Sequence, residues 1–339
     1  MTVYILSHKI FTGGPESLHQ FGSELRKRGI DANMVYTNPD LELPSRLAIY
    51  NVPSITDITK IVDDSKNVFV VPEDCIHYFN HFQNIRKCVW WLSLHHYLTK
   101  LNRDYVIQHA MPNLPKIFYS IPRLYLRLKY GKPQEYYVPQ KDDGIYHLYN
   151  CEYVRQYLEC CQVHPSNTCY LCGPIEHVYY SQNSNVEKED IVLYNPKKGF
   201  KFTKKIISKL NDYDISTIPI QNMTASEIKT TMDKSKIYID FGFFPGPERI
   251  PREAVVSNCL LLTSRTGAAA NDIDVPIPDE FKIDAITSNI YIIVDKLQYM
   301  LRNYDDLLSD FAQYRLKVRK QEDLFEDGIS IFISYMHRS

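Results

Sequence analysis

The segment KIYIDFGFFPGPERIPREAVVSNCLLLTSRTG, residues 236–267, decides the fold class. It begins with an apolar run at 236–241, passes through a Gly/Pro loop into a helix-forming stretch, and ends with a second apolar run at 260–263. Near-continuous apolar runs of this length are typical of strands buried on both faces of a parallel sheet. A strand, a helix and a strand in this order predict a βαβ unit.

The same alternation occurs twice along the chain. Other apolar runs that predict strands lie at 3–6, 67–71, 88–92, 145–149 and 191–195. We therefore predict an α/β protein with two Rossmann-like, doubly wound domains that face a central cleft. A polar stretch at 162–190 predicts the connection between the two domains. We place the first domain at 1–165 and the second at 166–314. The C-terminal segment 315–339 is expected either to stay with the second domain or to return to the first.

Composition excludes several classes of protein. The chain has 339 residues, a hydrophobic share of 44% and a formal net charge of −1, which exclude a disordered chain and give no overall field that would attract nucleic acid. No apolar run approaches the roughly 18–20 residues that span a bilayer. The first residues, MTVYILSHKI, predict a core strand rather than a leader, so we expect a cytoplasmic chain.

The eight cysteines are scattered, which favours reduced thiols over a disulfide framework. Cys169 and Cys172 have the two-residue gap of zinc knuckles, but the adjacent pair Cys160 and Cys161 is a poor chelate. We predict ordinary thiols, with a structural zinc as the alternative.

Two glycine-containing turns could bind an anion. In SHKIFTGGPESLHQF, residues 7–21, Gly13 and Gly14 remove side chains where a helix N-terminus exposes unpaired N–H groups. In YNPKKGFKFTKK, residues 194–205, Lys197 and Lys198 precede Gly199, where a diphosphate could lie. The alternatives are a tight strand–helix connection in the first turn and a solvated basic turn in the second.

The loop after the strand at 236–241 mixes guanidinium and carboxylate groups. Arg249 or Arg252 could pair with phosphate oxygens, and Glu253 could accept hydrogen bonds from ribose hydroxyls. The alternative is that the arginines and glutamates of this loop pair with each other and only stabilise the loop. Farther along, Gly267 in TSRTGAAAND would let a loop pass close to a nucleotide.

Histidines follow the tryptophan-rich strand, in WWLSLHHYL at residues 90–98. Ser93, His95 and His96 stand in the turn, where a histidine could accept a proton because its unperturbed pKa lies near neutrality. Each histidine could equally orient a sugar or have a structural role.

Taken together, these turns resemble the GT-B glycosyltransferases, specifically the retaining, family 4-like group of bacterial surface-polysaccharide enzymes. TGGPE is similar to that group's first loop, YNPKKG to its lysine–glycine segment, and RIPREAVVSNCLLLTSRTGAAA to its glutamate-containing motif. In this resemblance Lys198 stands on the family's lysine and Glu253 on the second glutamate, which reads ribose. Pro245 occupies the position of the first glutamate, and Asn195 that of the usual arginine.

The resemblance implies sugar transfer from a nucleotide-sugar donor to a saccharide or lipid-linked saccharide, with retention, without metal and without any cofactor besides the donor. The donor would bind in the second domain and the acceptor in the first. The residues it implies for catalysis are Lys198, Arg249, Arg252, Glu253 and His95. Those for the donor are Gly13, Gly14, Asn195, Lys197, Gly246, Glu248, Gly267 and Ala268, and those for the acceptor are Ser93, His96 and Glu16.

Two other functions fit the same architecture. One is a nucleotide-sugar epimerase, which needs carboxylates and histidines around the sugar. The other is a non-catalytic GT-B partner subunit, which the altered glutamate motif favours.

The segment 116–132 predicts an interfacial helix. Residues 105–134 have no acidic residue, and IPRLYLRLKYGK alternates basic with apolar side chains. Such a helix could meet anionic lipid near a lipid-linked acceptor, at the inner face of the membrane. The alternative is a basic loop over the acceptor site.

Overall fold

The computed structural model describes residues 1–101, 103–111, 114–130, 137–181, 186–284 and 289–337. The chain divides into two compact units, one formed by Met1–Gly173 with Phe325–Ser339 and the other by Pro174–Leu324. Each unit has its own parallel sheet.

The first unit contains a seven-stranded sheet within the described residues. Its strands are β1 (Thr2–Ser7), β2 (Asp31–Tyr36), β3 (Ser54–Ile55), β4 (Val68–Pro72), β5 (Arg86–Trp91), β6 (Ile145–Tyr149) and β7 (Thr168–Tyr170). They pair in parallel in the order β3-β2-β1-β4-β5-β6-β7.

The second unit contains a five-stranded sheet within the same described ranges. Its strands are β8 (Glu189–Tyr194), β9 (Ser216–Pro219), β10 (Ser235–Asp240), β11 (Leu260–Ser264) and β12 (Lys282–Ile283). Again all pairs are parallel, in the order β12-β11-β10-β8-β9.

Helices connect the strands, as parallel pairing requires. In chain order they are α1 (Gly13–Lys27), α2 (Ser45–Ala48), α3 (Leu94–Leu101), α4 (Arg103–Ala110), α5 (Ser120–Tyr130), α6 (Glu152–Cys160), α7 (Phe200–Leu210), α8 (Ala225–Lys234), α9 (Arg249–Val256), α10 (Ile290–Arg302), α11 (Tyr304–Leu307), α12 (Ala312–Arg319) and α13 (Gln321–Met336). Among the described residues, no helix is both long and apolar enough for a membrane crossing.

The core of the first unit includes the end of the chain. The Phe21 ring lies edge-on to Trp90 and to Phe332, with ring centroids 5.5 and 5.1 Å apart. Ile329, Phe332 and Met336 of α13 are buried in the same cluster. The Trp90 indole N–H donates to the Leu171 carbonyl at 3.0 Å. These apolar contacts explain why the segment from Phe325 belongs to the first unit.

The sequence located strands that are nearly continuous apolar runs. All seven predicted strands are present, as β1, β4, β5, β6, β8, β10 and β11, and the predicted α/β class with two Rossmann-like sheets is confirmed. Five strands at or next to the sheet edges were not predicted: the six-residue β2 and the shorter β3, β7, β9 and β12.

The predicted boundaries differ from those of the units. The stretch 162–190, predicted as a connection, contributes β7 to the first sheet, so the chain passes to the second unit at Pro174 and returns at Phe325. Residues 182–185 of that stretch, and 338 and 339 of the C-terminal segment, lie outside the described residues. The central cleft stays a prediction.

Each sheet has a point where the strand order reverses. In the first sheet it lies between β1 and β4, and in the second between β8 and β10. Open α/β sheets bind their ligands beyond the carboxyl ends of the strands at such a switch point. The loops that follow these four strands are therefore the first places to look for a functional site.

Candidate functional site

The candidate site of the second unit is built on the loops that follow β8, β10 and β11, which are adjacent strands. The loops after β8 and β10 are in contact at Gly199, which immediately precedes α7 and has φ of +59°. A Cβ atom at Gly199 would lie 2.7 Å from the Phe241 carbonyl group, so only glycine allows this approach. This contact brings the lysines before Gly199 next to the loop after β10.

The loop after β11 is held to the loop after β10 in a similar way. Gly267 has φ of +54°, and a Cβ atom there would lie 2.0 Å from the Phe244 carbonyl oxygen. The Ala268 N–H donates to that same oxygen at 2.9 Å. Thr266 donates from Oγ1 to the Gly242 carbonyl at 3.2 Å. Gly267 therefore allows a close approach to the backbone of the protein itself, while its predicted approach to a nucleotide stays a prediction.

Lys198 forms an ion pair with Glu248, which precedes α9. Both side chains keep some exposure, at 31% for the lysine and 19% for the glutamate. Glu248 was predicted beside the donor but was not predicted to bind Lys198. Because 50 residues separate the two, only the pairing of β8 with β10 brings them together.

Arg249, the first residue of α9, forms a second ion pair with Glu253, which lies one turn farther along the helix. Arg249 Nε lies 3.5 Å from Glu253 Oε1, and its guanidinium also lies 3.7 Å from Glu176 Oε1. Burial lowers the pKa of Arg249, while the charge of Glu253 raises it. Arg252 is buried, and its Nε donates to the Glu248 carbonyl at 3.3 Å. Both arginines are thus in contact with groups of the protein itself, Arg249 with carboxylates and Arg252 with a backbone carbonyl.

A buried carboxylate that sequence reasoning passed over lies beside these pairs. Asp240, the last residue of β10, accepts hydrogen bonds from the Tyr238 hydroxyl and the Gly242 N–H, both at 3.0 Å. Burial and the charge of Glu248 raise the pKa of Asp240 to about 6, although the Gly242 N–H and Lys198 lower it. The available signal is the aspartate of Asp-Phe-Gly, which ends an otherwise apolar run at 236–241.

The acidic side chains of this site all raise the pKa of one buried hydroxyl, that of Tyr238. Burial raises the pKa of the Tyr238 hydroxyl well above its usual value, and the charges of Asp240, Glu248 and Glu253 raise it further. The predicted residues of the second domain therefore gather at one edge of one sheet. Two ion pairs stand there beside one further carboxylate, that of Asp240.

The other predicted donor residues of this unit have local roles. Asn195 is buried, and its side chain accepts from the Lys197 N–H at 2.9 Å, which shapes the turn after β8. Lys197 is exposed, and Gly246 is buried in the loop after β10.

In the first unit, the predicted acceptor residues stand on the loops after β1 and β5. A Cβ atom at Gly14 would lie 3.5 Å from Leu92 Cδ1, which brings the two loops into contact. His95 Nδ1 lies 2.9 Å from the Tyr105 hydroxyl, and His96 is exposed. Glu16 is buried and accepts from the Tyr50 hydroxyl at 3.0 Å. Gly13 begins α1.

A second carboxylate missed by sequence reasoning organises this part of the unit. Glu73 follows β4 and accepts from the backbone N–H groups of Leu92 at 2.8 Å and Ser93 at 2.6 Å. Burial raises the pKa of Glu73 to about 7, although the N–H donors lower it. Ser93 is therefore held through its backbone, and its side chain is only half-buried.

Helix α5 has an exposed apolar surface. Ile121 and Leu128 are 78% and 79% exposed, and Leu124 and Tyr125 are also exposed. Basic residues are interspersed with them, and Arg123 is paired with Asp104 through two contacts of 2.6 Å. Residues 131 and 132 of the predicted interfacial segment lie outside the described residues.

Comparisons with known proteins match this chain through its structure. No family model matches the chain, and no curated protein sequence matches it. A glycosyltransferase from Rickettsia africae is 13% identical with a TM-score of 0.62, over 100% of this chain and 99% of that one. HepE of Anabaena, solved in complex with UDP-glucose, is 10% identical with a TM-score of 0.59, over 99% and 100%.

A third similar structure is WaaG, a glycosyltransferase involved in lipopolysaccharide biosynthesis. It is 9% identical with a TM-score of 0.57, over the full length of both chains. At such identities the likeness establishes the fold. The chain has the GT-B fold of these glycosyltransferases, as its sequence motifs predicted.

Proposed function

We propose that this chain is a glycosyltransferase, which moves a sugar from a nucleotide-sugar donor to a saccharide or lipid-linked saccharide acceptor. The observation that carries the proposal is the gathering of Lys198, Arg249 and Glu253 at the switch point of the second sheet. Cations there suit a diphosphate, and a carboxylate suits ribose hydroxyls. The complex of HepE with UDP-glucose supports the donor class.

In this proposal the region 166–314 binds the donor and the region 1–165 binds the acceptor. Glu248 holds Lys198 in the free protein, and the donor diphosphate takes its place at the ammonium group. This exchange keeps the lysine charge balanced in both states, so a half-buried cation is never left unpaired.

Transfer then depends on stabilising the charge that grows on the leaving phosphate. Lys198 with Arg249 or Arg252 supplies positive charge fixed by the surrounding loops. Glu253 reads the ribose, while Asn195, Lys197, Gly246, Glu248, Gly267 and Ala268 shape the donor pocket.

We propose that transfer retains configuration and needs no metal at the donor. The donor phosphate itself takes the acceptor proton, so no dedicated base is required. On the acceptor side, His95, His96, Ser93 and Glu16 orient the acceptor, while Gly13 and Gly14 leave room for the donor at the start of α1.

The test is acceptor-dependent release of nucleotide. Full-length protein is incubated with UDP-, GDP-, CMP- and dTDP-sugars, with and without a panel of saccharide and lipid-linked acceptors, and free nucleotide is measured. We expect release from one donor only when an acceptor is present, and release slower by about 10²–10³-fold with Lys198→Ala. Lys205→Ala, which changes an exposed lysine of α7, is the matched control and is expected to behave like the unchanged protein. Failure of every donor to react would contradict the proposal.

One observation favours a second candidate, a non-catalytic GT-B partner subunit. Lys198 and Arg249 are paired with carboxylates of the chain itself. If those pairs are permanent, no nucleotide sugar will bind, and Lys198→Ala will leave the activity of the partner complex unchanged.

We further propose that the acceptor belongs to surface polysaccharide biosynthesis and that the chain works at the inner face of the bacterial membrane. The involvement of WaaG in lipopolysaccharide biosynthesis supports the first part. The exposed apolar side chains of α5, with exposed Lys116, Arg127 and Lys129 nearby, support the second. Each basic residue near an anionic surface contributes about 1 kcal/mol to binding.

Vesicle sedimentation tests the membrane contact. We expect binding to vesicles that contain anionic phospholipid and weaker binding to purely zwitterionic ones. Ile121→Ser combined with Leu128→Ser should release the protein from both. Ile292→Ser changes a comparably exposed isoleucine of α10 and should have no effect. Equal binding by the double variant and the control would rule out α5 as the contact.

A further inference from the structure

A cluster of three different metal-ligating side chains stands at the switch point of the first sheet. His8 follows β1, and Asp74 and Cys75 follow β4, the two strands between which the strand order reverses. One ligand atom from each lies within 4.8 Å of the other two. Among the described residues, no second group of three such side chains reaches this proximity.

The distances within the cluster fit tetrahedral zinc. His8 Nε2 lies 3.2 Å from Asp74 Oδ2 and 3.8 Å from Cys75 Sγ. Zinc bonds of about 2.0–2.1 Å to nitrogen, 2.0–2.2 Å to oxygen and 2.3 Å to sulfur imply tetrahedral edges of about 3.3 Å for N–O and about 3.6 Å for N–S. Both observed separations lie within a few tenths of an ångström of those edges.

The histidine is oriented as a metal ligand is. His8 Nδ1 lies 2.7 Å from Thr37 Oγ1, and Thr37 follows β2, the other neighbour of β1. When Nδ1 carries the proton and donates it to the threonine, the lone pair of Nε2 points at Asp74 and Cys75. Metal-binding histidines almost always have such a partner on the second ring nitrogen, which fixes the tautomer and the ring.

Burial leaves one side of the cluster accessible. Cys75 is buried, whereas the His8 and Asp74 side chains are 30% and 23% exposed. Lys9, the adjacent cation, donates to the carbonyls of Pro39 and Leu41 at 2.6 and 2.7 Å. Its ammonium group is thus held by neutral oxygens of another loop.

We propose that His8, Asp74 and Cys75 bind a zinc ion whose fourth position faces solvent. Imidazole, thiolate and carboxylate together suit zinc better than magnesium or calcium, which prefer oxygen ligands alone. Three protein ligands and one open position are the pattern of zinc sites that bind water or a substrate group. Binding displaces the Cys75 thiol proton to solvent, so charge and protons balance. The proposal is independent of the sugar-transfer function.

Direct titration tests the site. Full-length protein is stripped with a chelator and titrated with Zn²⁺ in competition with a chromophoric chelator, and in parallel with Co²⁺, whose thiolate complexes have a charge-transfer absorption band. We expect one equivalent per chain and a thiolate band with Co²⁺. Cys75→Ser should abolish the band, and His8→Gln and Asp74→Asn should each weaken zinc binding more than about 100-fold, because ligand loss exceeds the 10–100-fold effect of outer-shell changes.

Further variants separate the site from adventitious binding and from misfolding. Thr37→Val keeps all three ligands and should weaken binding about 10–100-fold. Cys160→Ser and His164→Gln remove an exposed thiol and an exposed imidazole of the same unit and should leave affinity unchanged. Zinc should raise the melting temperature of the unchanged protein and not that of Asp74→Asn. Absence of zinc binding, or equal affinity in His8→Gln and His164→Gln, would overturn the proposal.

Discussion

The two switch points of the molecule have the same topology but different sets of charged groups. In the second unit, Lys198 and Arg249 stand among carboxylates, with both cations held in ion pairs. In the first unit, the loops after β1 and β4 present Glu73, Asp74, His8 and Cys75, and Lys9 is turned to backbone carbonyls.

This difference shows how one architecture can serve two kinds of ligand. The second switch point suits an anion such as a diphosphate, because Lys198 and Arg249 place positive charge there. The first suits hydroxyl groups or a metal cation, because its side chains are acceptors. Sheet topology determines where a ligand lies, and the side chains after each strand determine which ligand charge is favoured there.

The largest effect is expected from removing the cation of the second switch point. Lys198→Ala should lower kcat about 10²–10³-fold, the usual result of deleting one group that stabilises charge in the transition state. Steady-state nucleotide release measures it, with Lys205→Ala as the control. A loss of less than tenfold would mean that Lys198 does not face the leaving phosphate.

The raised pKa of Asp240 predicts that the free energy of unfolding depends on pH. Its pKa is about 6 in the folded protein, above the usual value of 3.8, so the folded state holds the proton more tightly. Stability contributed by this proton is present below pH 4 and is lost as the pH rises to 6. The difference between a pKa of about 6 and the usual 3.8 corresponds to about 3 kcal/mol of unfolding free energy.

The comparison for this prediction is Asp240→Asn. Its unfolding free energy should exceed that of the unchanged protein above pH 6, and the gap should narrow as the pH falls to 4. Denaturant unfolding at several pH values measures the gap. A gap that is constant with pH would show that Asp240 is not the titrating group.

A smaller loss of stability is expected at Gly267. A Cβ atom there meets the Phe244 carbonyl at 2.0 Å, and the residue has positive φ, so Gly267→Ala should cost about 1–3 kcal/mol. Gly29→Ala is the matched control, because Gly29 has φ of +77° with nothing within 4 Å of its Cβ position. Thermal unfolding should show a larger drop for Gly267→Ala, and equal drops would place the cost in φ alone.

The sequence predicted the parts of the molecule that depend on local pattern. Strands such as β4 and β10 are nearly continuous apolar runs, and Gly199 and Gly267 mark turns that follow predicted strands. The short strands β3 and β12 have two residues each, too few for any pattern to be recognised.

Contacts between distant segments could not be predicted in the same way. Lys198 meets Glu248 across 50 residues and His8 meets Asp74 across 66, and both contacts depend on which strands are neighbours. The raised pKa of Asp240 depends on burial, which a single carboxylate in a sequence does not reveal.

The central claim is that the second switch point binds the diphosphate of a nucleotide donor. Calorimetric titration of the full-length protein with UDP, GDP and dTDP, each against its nucleoside, tests it most directly. We predict that one diphosphate binds far more tightly than its nucleoside and that Lys198→Met removes most of this difference. Equal binding of diphosphate and nucleoside, or a difference that survives in Lys198→Met, would contradict the claim, as would no binding by any of the three.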